Sequence, residues 1–579
     1  MDETERRVDG IRKGSSELEN HLIDEYKAGK ISRRDFVRRG TVVGMSIPLL
    51  SFLATACGGD DGGEAAPPPA EPAPPPAETG AAPPAEPPPA ESPPPPATAG
   101  GALRTGIIAP AGALNPLTVA DEGGLAVLGQ SGEYLTWSNE NLELEPRIAE
   151  SWEPNADGSV WTFTIRQGVT FHDGTPLTAE AVAYTLNLHA DPANEGNALS
   201  AFGGVLSAGG ARALDDATVE VTLDAPNGAF PYLVSSDNYN VVVLPPDFDP
   251  TTWESSFVGT GPWVLESFTP QVGATYTRNA SYWDTSRQPI ADTSELKFYA
   301  EDQARVLAIQ GGEVDVLSQF AVVGGEALLN DANIVVVEVR ASQHRQVHMA
   351  VDREPFTDKR VRQAMALLLD RDAIVQGLFQ GKADLGNDSP FAPVYPFTDT
   401  TVSQRAIDVE QARQLLADAG FPDGFQVQLS TWDNYEIPQL AQLIQSAARE
   451  VGITIDLNVT DAGTYYSDFW LDSPLGITDY GHRGVPNVFL TAPLASEGVW
   501  NAAHFKNTTY DGLVAQYVAA LDLDSQRAAA KQIQELLLDE TPVIFPYFYF
   551  HLSATRSNVS GILPTGMGHI DLTKTGFTA

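Results

Sequence analysis

Between Gly58 and Gly100 the chain carries sixteen prolines and neither lysine nor arginine. A segment so poor in large apolar side chains buries too little surface to offset the entropy of ordering it, so it reads as an extended, disordered tether. At about 3.1 Å per residue in polyproline geometry, its contour reaches ~130 Å. The sequence therefore divides into a leader, residues 1–56; a tether, 57–100; and a body from residue 101 onward.

The leader reads as an export signal. Ser32-Arg33-Arg34-Asp35-Phe36-Val37 carries paired arginines, Arg33 and Arg34, in a twin-arginine pattern, and Gly40 to Ala56 follows without a charge. Those seventeen residues, with Gly44 and Pro48 among them, are marginal for crossing hydrocarbon; a span of ~30 Å needs about 20. Leu53-Ala54-Thr55-Ala56-Cys57 places small residues before the only cysteine of the chain, in the manner of a lipobox. Cys57 is thus the expected lipidation site, although Ala54 stands where such a motif usually has leucine. One cysteine also excludes an intramolecular disulfide and any cysteine-based zinc or iron–sulfur site.

Composition narrows the function further. The chain has 35 Lys and Arg against 76 Asp and Glu, a formal net charge of −41. Nucleic acid and anionic lipid surfaces need clustered cations, so neither is an expected partner. At 579 residues and 42% hydrophobic content, the chain is long enough for several packed domains.

The body alternates strand-like and helical runs, as a mixed α/β protein does. Trp161 to Arg166 alternates in period two, and Ile334 to Val339 and Ile453 to Val459 read as further strands. Thr178 to His189, Asp358 to Leu369, Val409 to Ala419 and Gln526 to Leu538 have helical spacing, with Thr178 as an N-cap and Gly420 as a stop. Trp152, Trp161 and Trp283 are expected in the core. Asp157-Gly158, Asp173-Gly174 and Gly259-Thr260-Gly261-Pro262 are expected turns, where glycine permits a positive φ.

Ordered motifs then appear. Leu144-Glu145-Pro146-Arg147-Ile148-Ala149-Glu150-Ser151-Trp152 leads to Arg166-Gln167-Gly168-Val169-Thr170-Phe171-His172-Asp173-Gly174. Gly259-Thr260-Gly261-Pro262-Trp263, Tyr282-Trp283, Gln310-Gly311-Gly312-Glu313-Val314-Asp315 and Arg360-Val361-Arg362-Gln363-Ala364 follow. The series resembles the family 5 extracellular solute-binding proteins, the peptide- and nickel-binding group, over nearly all of residues 102–579. That resemblance implies a periplasmic-binding-protein type II-like fold of two hinged lobes in three domains. Domain I would be 101–132, 243–342 and 546–579; domain II, 133–242; domain III, 343–545. It also implies a non-catalytic, monomeric solute-binding protein without cofactor. A lipid would anchor it to the outer face of the cytoplasmic membrane, in the periplasm or at the cell surface, to deliver peptides to an ABC permease.

The resemblance points to Ile477 to Leu490 for the ligand. Asp479 is the expected anchor for a peptide's α-amino group, beside Tyr480, His482, Arg483 and Asn487. Arg483 would either hold a ligand carboxylate or pair with Asp479; the second option favours an uncharged ligand such as an oligosaccharide. Trp500, Asn501 and Tyr134 are further candidates. His344 and His348 lie in a strand-like run; there they would stand ~13 Å apart, too far to chelate one ion. A GxxxxGK loop and a GxSxG elbow are both absent from the sequence. A tethered sensor and an extracellular hydrolase remain as rivals.

Overall fold

The computed structural model describes residues 98–112, 114–249 and 257–578. Cys57, Arg33 and Arg34 lie outside them. Three sheets organise the body. The first has seven strands in the order Ile334–Val339, His551–Arg556, Val316–Phe320, Ala102–Ile108, Thr293–Tyr299, Gly273–Arg278 and Trp263–Thr269. Ala102–Ile108 runs parallel to both of its neighbours, and the remaining pairs are antiparallel.

The second sheet runs Ala383–Leu385, Tyr547–Tyr549, His344–Met349, Leu475–Tyr480, Gln426–Trp432 and Thr454–Thr460, with Val543–Ile544 also paired to His344–Met349. Leu429, Leu475, Ile477 and Val347 are fully buried at its centre, against helices Lys359–Leu367 and Ile437–Arg449. Burial of each such side chain contributes about 1.5–3 kcal/mol. The chain passes from the first sheet to the second between Val339 and His344 and returns between Tyr549 and His551. The third sheet, Ala149–Pro154, Val160–Ile165, Thr218–Thr222 and Ala211–Asp215, is wholly antiparallel. Trp161, Phe163 and Ile165 point into its core while Thr162 and Thr164 face out.

The expected elements largely form. Ile334–Val339 has the expected bounds; the helix beginning after Thr178 runs Ala179–Ala190, and Asp358 caps Lys359–Leu367 through its side chain. The last long helix is longer than its apolar spacing predicted, Leu523–Glu540, because Asp522 accepts from the Ser525 N–H and starts it earlier. Gly158 and Gly174 have the positive φ expected of them, 74° and 87°. Gly259 and Gly261 do not, which corrects the turn reading. A β-carbon on Gly259 would come 1.9 Å from the Ser131 carbonyl oxygen, so close backbone approach is what requires glycine there. The Gly261 N–H donates to that carbonyl at 2.9 Å, and Ser131 Oγ donates to the Trp263 carbonyl at 2.8 Å. The motif thus fastens the end of helix Glu122–Ser131 to the first sheet. Of the three tryptophans expected in the core, Trp161 is buried; Trp152 and Trp283 are half-buried and pack against it.

Candidate functional site

Asp479 and Tyr480 are consecutive on strand Leu475–Tyr480, so their side chains leave opposite faces of the sheet. Asp479 stands directly across from Arg345. Its Oδ1 accepts from the Tyr466 hydroxyl at 2.7 Å, and it is half-exposed. Tyr465 and Tyr466, in the π-helical turn Tyr465–Phe469, straddle the strand edge: one bonds Thr478, the other Asp479. Arg345 is held by Glu436, with Nε 2.9 Å from Oε1, and its guanidinium lies 4.5 Å from the Tyr549 ring centroid. Tyr480 packs on the other side against His344, Phe489 and Trp500.

The loop beyond the strand turns away from Asp479. The Ser342 N–H donates to His482 Nδ1 at 3.0 Å, so the hydrogen assigned to that imidazole lies on Nε2. Ser342 Oγ accepts from the Arg483 N–H and donates to the Arg483 carbonyl, which also accepts from Tyr395. The backbone here is therefore fixed, and the Arg483 guanidinium extends over Tyr239, 5.9 Å from the ring centroid. The expected alternative, an Arg483–Asp479 pair, is not what forms.

What Arg483 meets instead is the segment Tyr232 to Asn240, together with which it lines a narrow, partly open cleft. Asn238 and Asn240 are spent locally: Asn238 donates to the Leu233 carbonyl, and Asn240 to those of Pro116 and Val119. Asp237 is not. It is only 8% exposed, its Oδ2 has no hydrogen-bond partner among the described residues, and its Oδ1 lies 3.7 Å from His482 Nε2. Asn487, beside the cavity-lining Val488, likewise leaves both amide atoms unpartnered at 7% exposure. Buried polar groups left open cost about 1–3 kcal/mol each unless something fills them. A carboxylate with an imidazole N–H 3.7 Å away shares this wall with a half-buried guanidinium, an arrangement suited to a ligand bearing both charges.

The remaining candidates fall elsewhere. Tyr134 is fully buried and donates to the Tyr239 carbonyl at 2.9 Å, so it braces the cavity wall from behind. Asn501 is used by its own turn, donating to the Ala495 and Phe505 carbonyls. Trp500 is half-buried, its ring 6.0 Å from that of Tyr480. His344 and His348 do lie on one strand, both buried. Sequence reasoning missed Asp237 and Arg345. The only local signal for Asp237 is a polar run, Ser235-Ser236-Asp237-Asn238, between two apolar ones.

A family description covers this region: residues 143–495 match that of the bacterial extracellular solute-binding proteins, family 5. The chain belongs to that family. Its members bind solutes rather than convert them. Among curated relatives, the glutathione-binding protein GsiB of Escherichia coli (strain K12) is 26% identical over 481 residues, covering 79% of this chain and 91% of the relative. The heme-binding protein A of Haemophilus influenzae is 25% identical over 440 residues, covering 70% and 79%. Among solved structures, HbpA2 from Haemophilus parasuis superposes with a TM-score of 0.73 at 22% identity, covering 83% of this chain and all of the other. DppA from Helicobacter pylori, in complex with the peptide STSA, gives 0.68 at 20% identity, covering 83% and 99%. These superpositions establish a shared fold for the family 5 chain described here.

Proposed function

We propose that this family 5 protein captures short peptides outside the membrane and passes them to an ABC-type permease. The observation that carries the reading is the unpartnered Oδ2 of buried Asp237, which packs against Gly484 at the wall of the cleft that Arg483 also lines. An α-ammonium would satisfy Asp237, and a carboxylate would suit the Arg483 fork. The relative named for glutathione, itself a small peptide, supports the same ligand class.

In this reading the division into domains I, II and III places Asp237 in one lobe and Arg483 in the other. A ligand touching both favours the closed form; moving a population from 1:99 to 99:1 takes ~5.5 kcal/mol of differential binding. His482, with Nε2 3.7 Å from Asp237 Oδ1, stands behind this polar wall. Asp479 is the second candidate anchor, favoured by its half-exposed carboxylate beside Tyr466. Arg33 and Arg34 direct export, and Cys57 carries the lipid. Exchanging both arginines for lysine would then stop export.

Calorimetric titration with a free and an N-acetylated peptide tests the anchor. Asp237→Asn is expected to weaken the free peptide by roughly 10- to 150-fold, the loss of one charged hydrogen bond, and to leave the acetylated one unchanged. The same pattern in Asp479→Asn, with Asp237→Asn silent, would move the anchor to Asp479. Equal affinity for both peptides would contradict the amine site altogether.

A further inference from the structure

A second, small cavity lies between the end of helix Glu122–Ser131, Pro262–Trp263 and the hairpin strand Ile570–Asp571, and shares no lining residue with the one beside Arg483. Two guanidiniums flank the Trp137 ring in it: Arg147 at 5.0 Å and Arg287 at 5.7 Å from the centroid. Arg147 is 3% exposed, yet its Nε and Nη2 have no hydrogen-bond partner among the described residues. Arg287 Nε and Trp263 Nε1 are likewise unpartnered. Four buried N–H donors on residues around one cavity thus lack an acceptor among the described residues. Such donors are costly to leave open, most of all on a charged group.

The neighbouring acids are already engaged. Asp571 pairs with Arg287 through Nη2, and Glu133 accepts from the Tyr282 hydroxyl. Burial pushes the Glu133 carboxyl up from its ordinary range, against the opposing pull of the Arg147 charge, and no hydrogen bond joins the two residues among the described ones. Nε and Nη2 form one edge of the planar guanidinium, the edge that meets two oxygens of a carboxylate, sulfate or phosphate side by side.

We infer that this cavity is a small-oxyanion site, with the Nε/Nη2 edge of Arg147 as its fork and Arg287 and Trp263 as supporting donors. Arg147 lies within the Leu144 to Trp152 motif, which the peptide reading leaves without a ligand role.

The test uses the full chain. Its Tm is followed as inorganic phosphate replaces chloride at constant ionic strength, and crystals are soaked in selenate. Phosphate is expected to raise Tm where chloride does not, and selenium density is expected within hydrogen-bond distance of Arg147 Nε and Nη2. Arg147→Lys keeps the charge and loses the fork, so the apparent phosphate affinity should fall by roughly tenfold or more. Phosphate stabilisation undiminished in Arg147→Lys, or no selenium at Arg147, overturns the assignment. Should the variant fail to fold, the selenate soak of the unaltered protein still decides. Peptide titrations with and without phosphate separate two sources of the anion: competition identifies a ligand's own carboxylate, independence a free ion.

Discussion

A β-carbon placed on Gly484 would lie 1.8 Å from Asp237 Oδ2, so these two residues meet in a fit that only glycine permits. The two positions are 247 residues apart (484 − 237). Gly484→Ala must push the whole Asp237 carboxyl aside, since its Cγ and Cβ would stand at 2.6 and 3.1 Å. The expected result is a tenfold or greater loss of peptide affinity, about 1.4 kcal/mol or more, beside a lower Tm of the unliganded protein from overpacking of about 1–3 kcal/mol. Calorimetry and a melting curve on the same sample check both halves.

Arg345 and Glu436 form a pair whose side chains are 2% and 5% exposed. Arg345→Met would leave the Glu436 charge buried and unmatched, at a cost of about 3–5 kcal/mol. Adding Glu436→Gln should restore much of the loss. Urea midpoints of the two single variants and the double variant measure this; a double variant as unstable as Arg345→Met alone would contradict it.

The fold was more legible in the sequence than the site was. Strands such as Ile334–Val339 and Val160–Ile165 announce themselves because apolar side chains must alternate or cluster where a sheet is covered. Asp237 carries no such period. Its meaning comes from a contact with His482 and Gly484 that only tertiary folding makes. Asp479 was singled out by its motif, but the motif could not say which face of the strand it leaves by. Arg345 was passed over between His344 and His348, because its partner Glu436 lies ninety-one residues away (436 − 345). Gly259 read as a turn glycine; its real constraint, the Ser131 carbonyl, is a neighbour in space.

That constraint is itself testable. Gly259→Ala would drive a methyl to within 1.9 Å of the Ser131 oxygen, so the end of helix Glu122–Ser131 must move. A loss of about 3 kcal/mol is expected, in the range of severe overpacking, against less than 1 kcal/mol for Gly168→Asn at a positive-φ position with open space around it.

Acid should destabilise the protein well above the carboxylate range. Burial pushes His189, His344 and His348 down to about 3, and His551 to about 4. Unfolded, these imidazoles take up protons below about pH 6.5, while the folded protein keeps them neutral. Stability is therefore fully present above that pH and falls as pH drops from 6.5 toward 3, by about 1.4 kcal/mol per unit for each histidine. Glu122 and Glu133, raised by burial, act in the opposite sense, and four imidazoles outweigh two carboxyls. The urea midpoint should drop between pH 7.5 and 5.0, and His189→Leu should flatten that drop. A midpoint constant over this interval would contradict the assignment.

The central claim is that the cavity shared by Asp237 and Arg483 holds a peptide. Protein purified under native conditions from its own cells, then denatured, releases whatever that cavity held, and mass spectrometry identifies it. The account predicts short peptides with a free amino end. A neutral sugar, or any compound without an ammonium group, would contradict it.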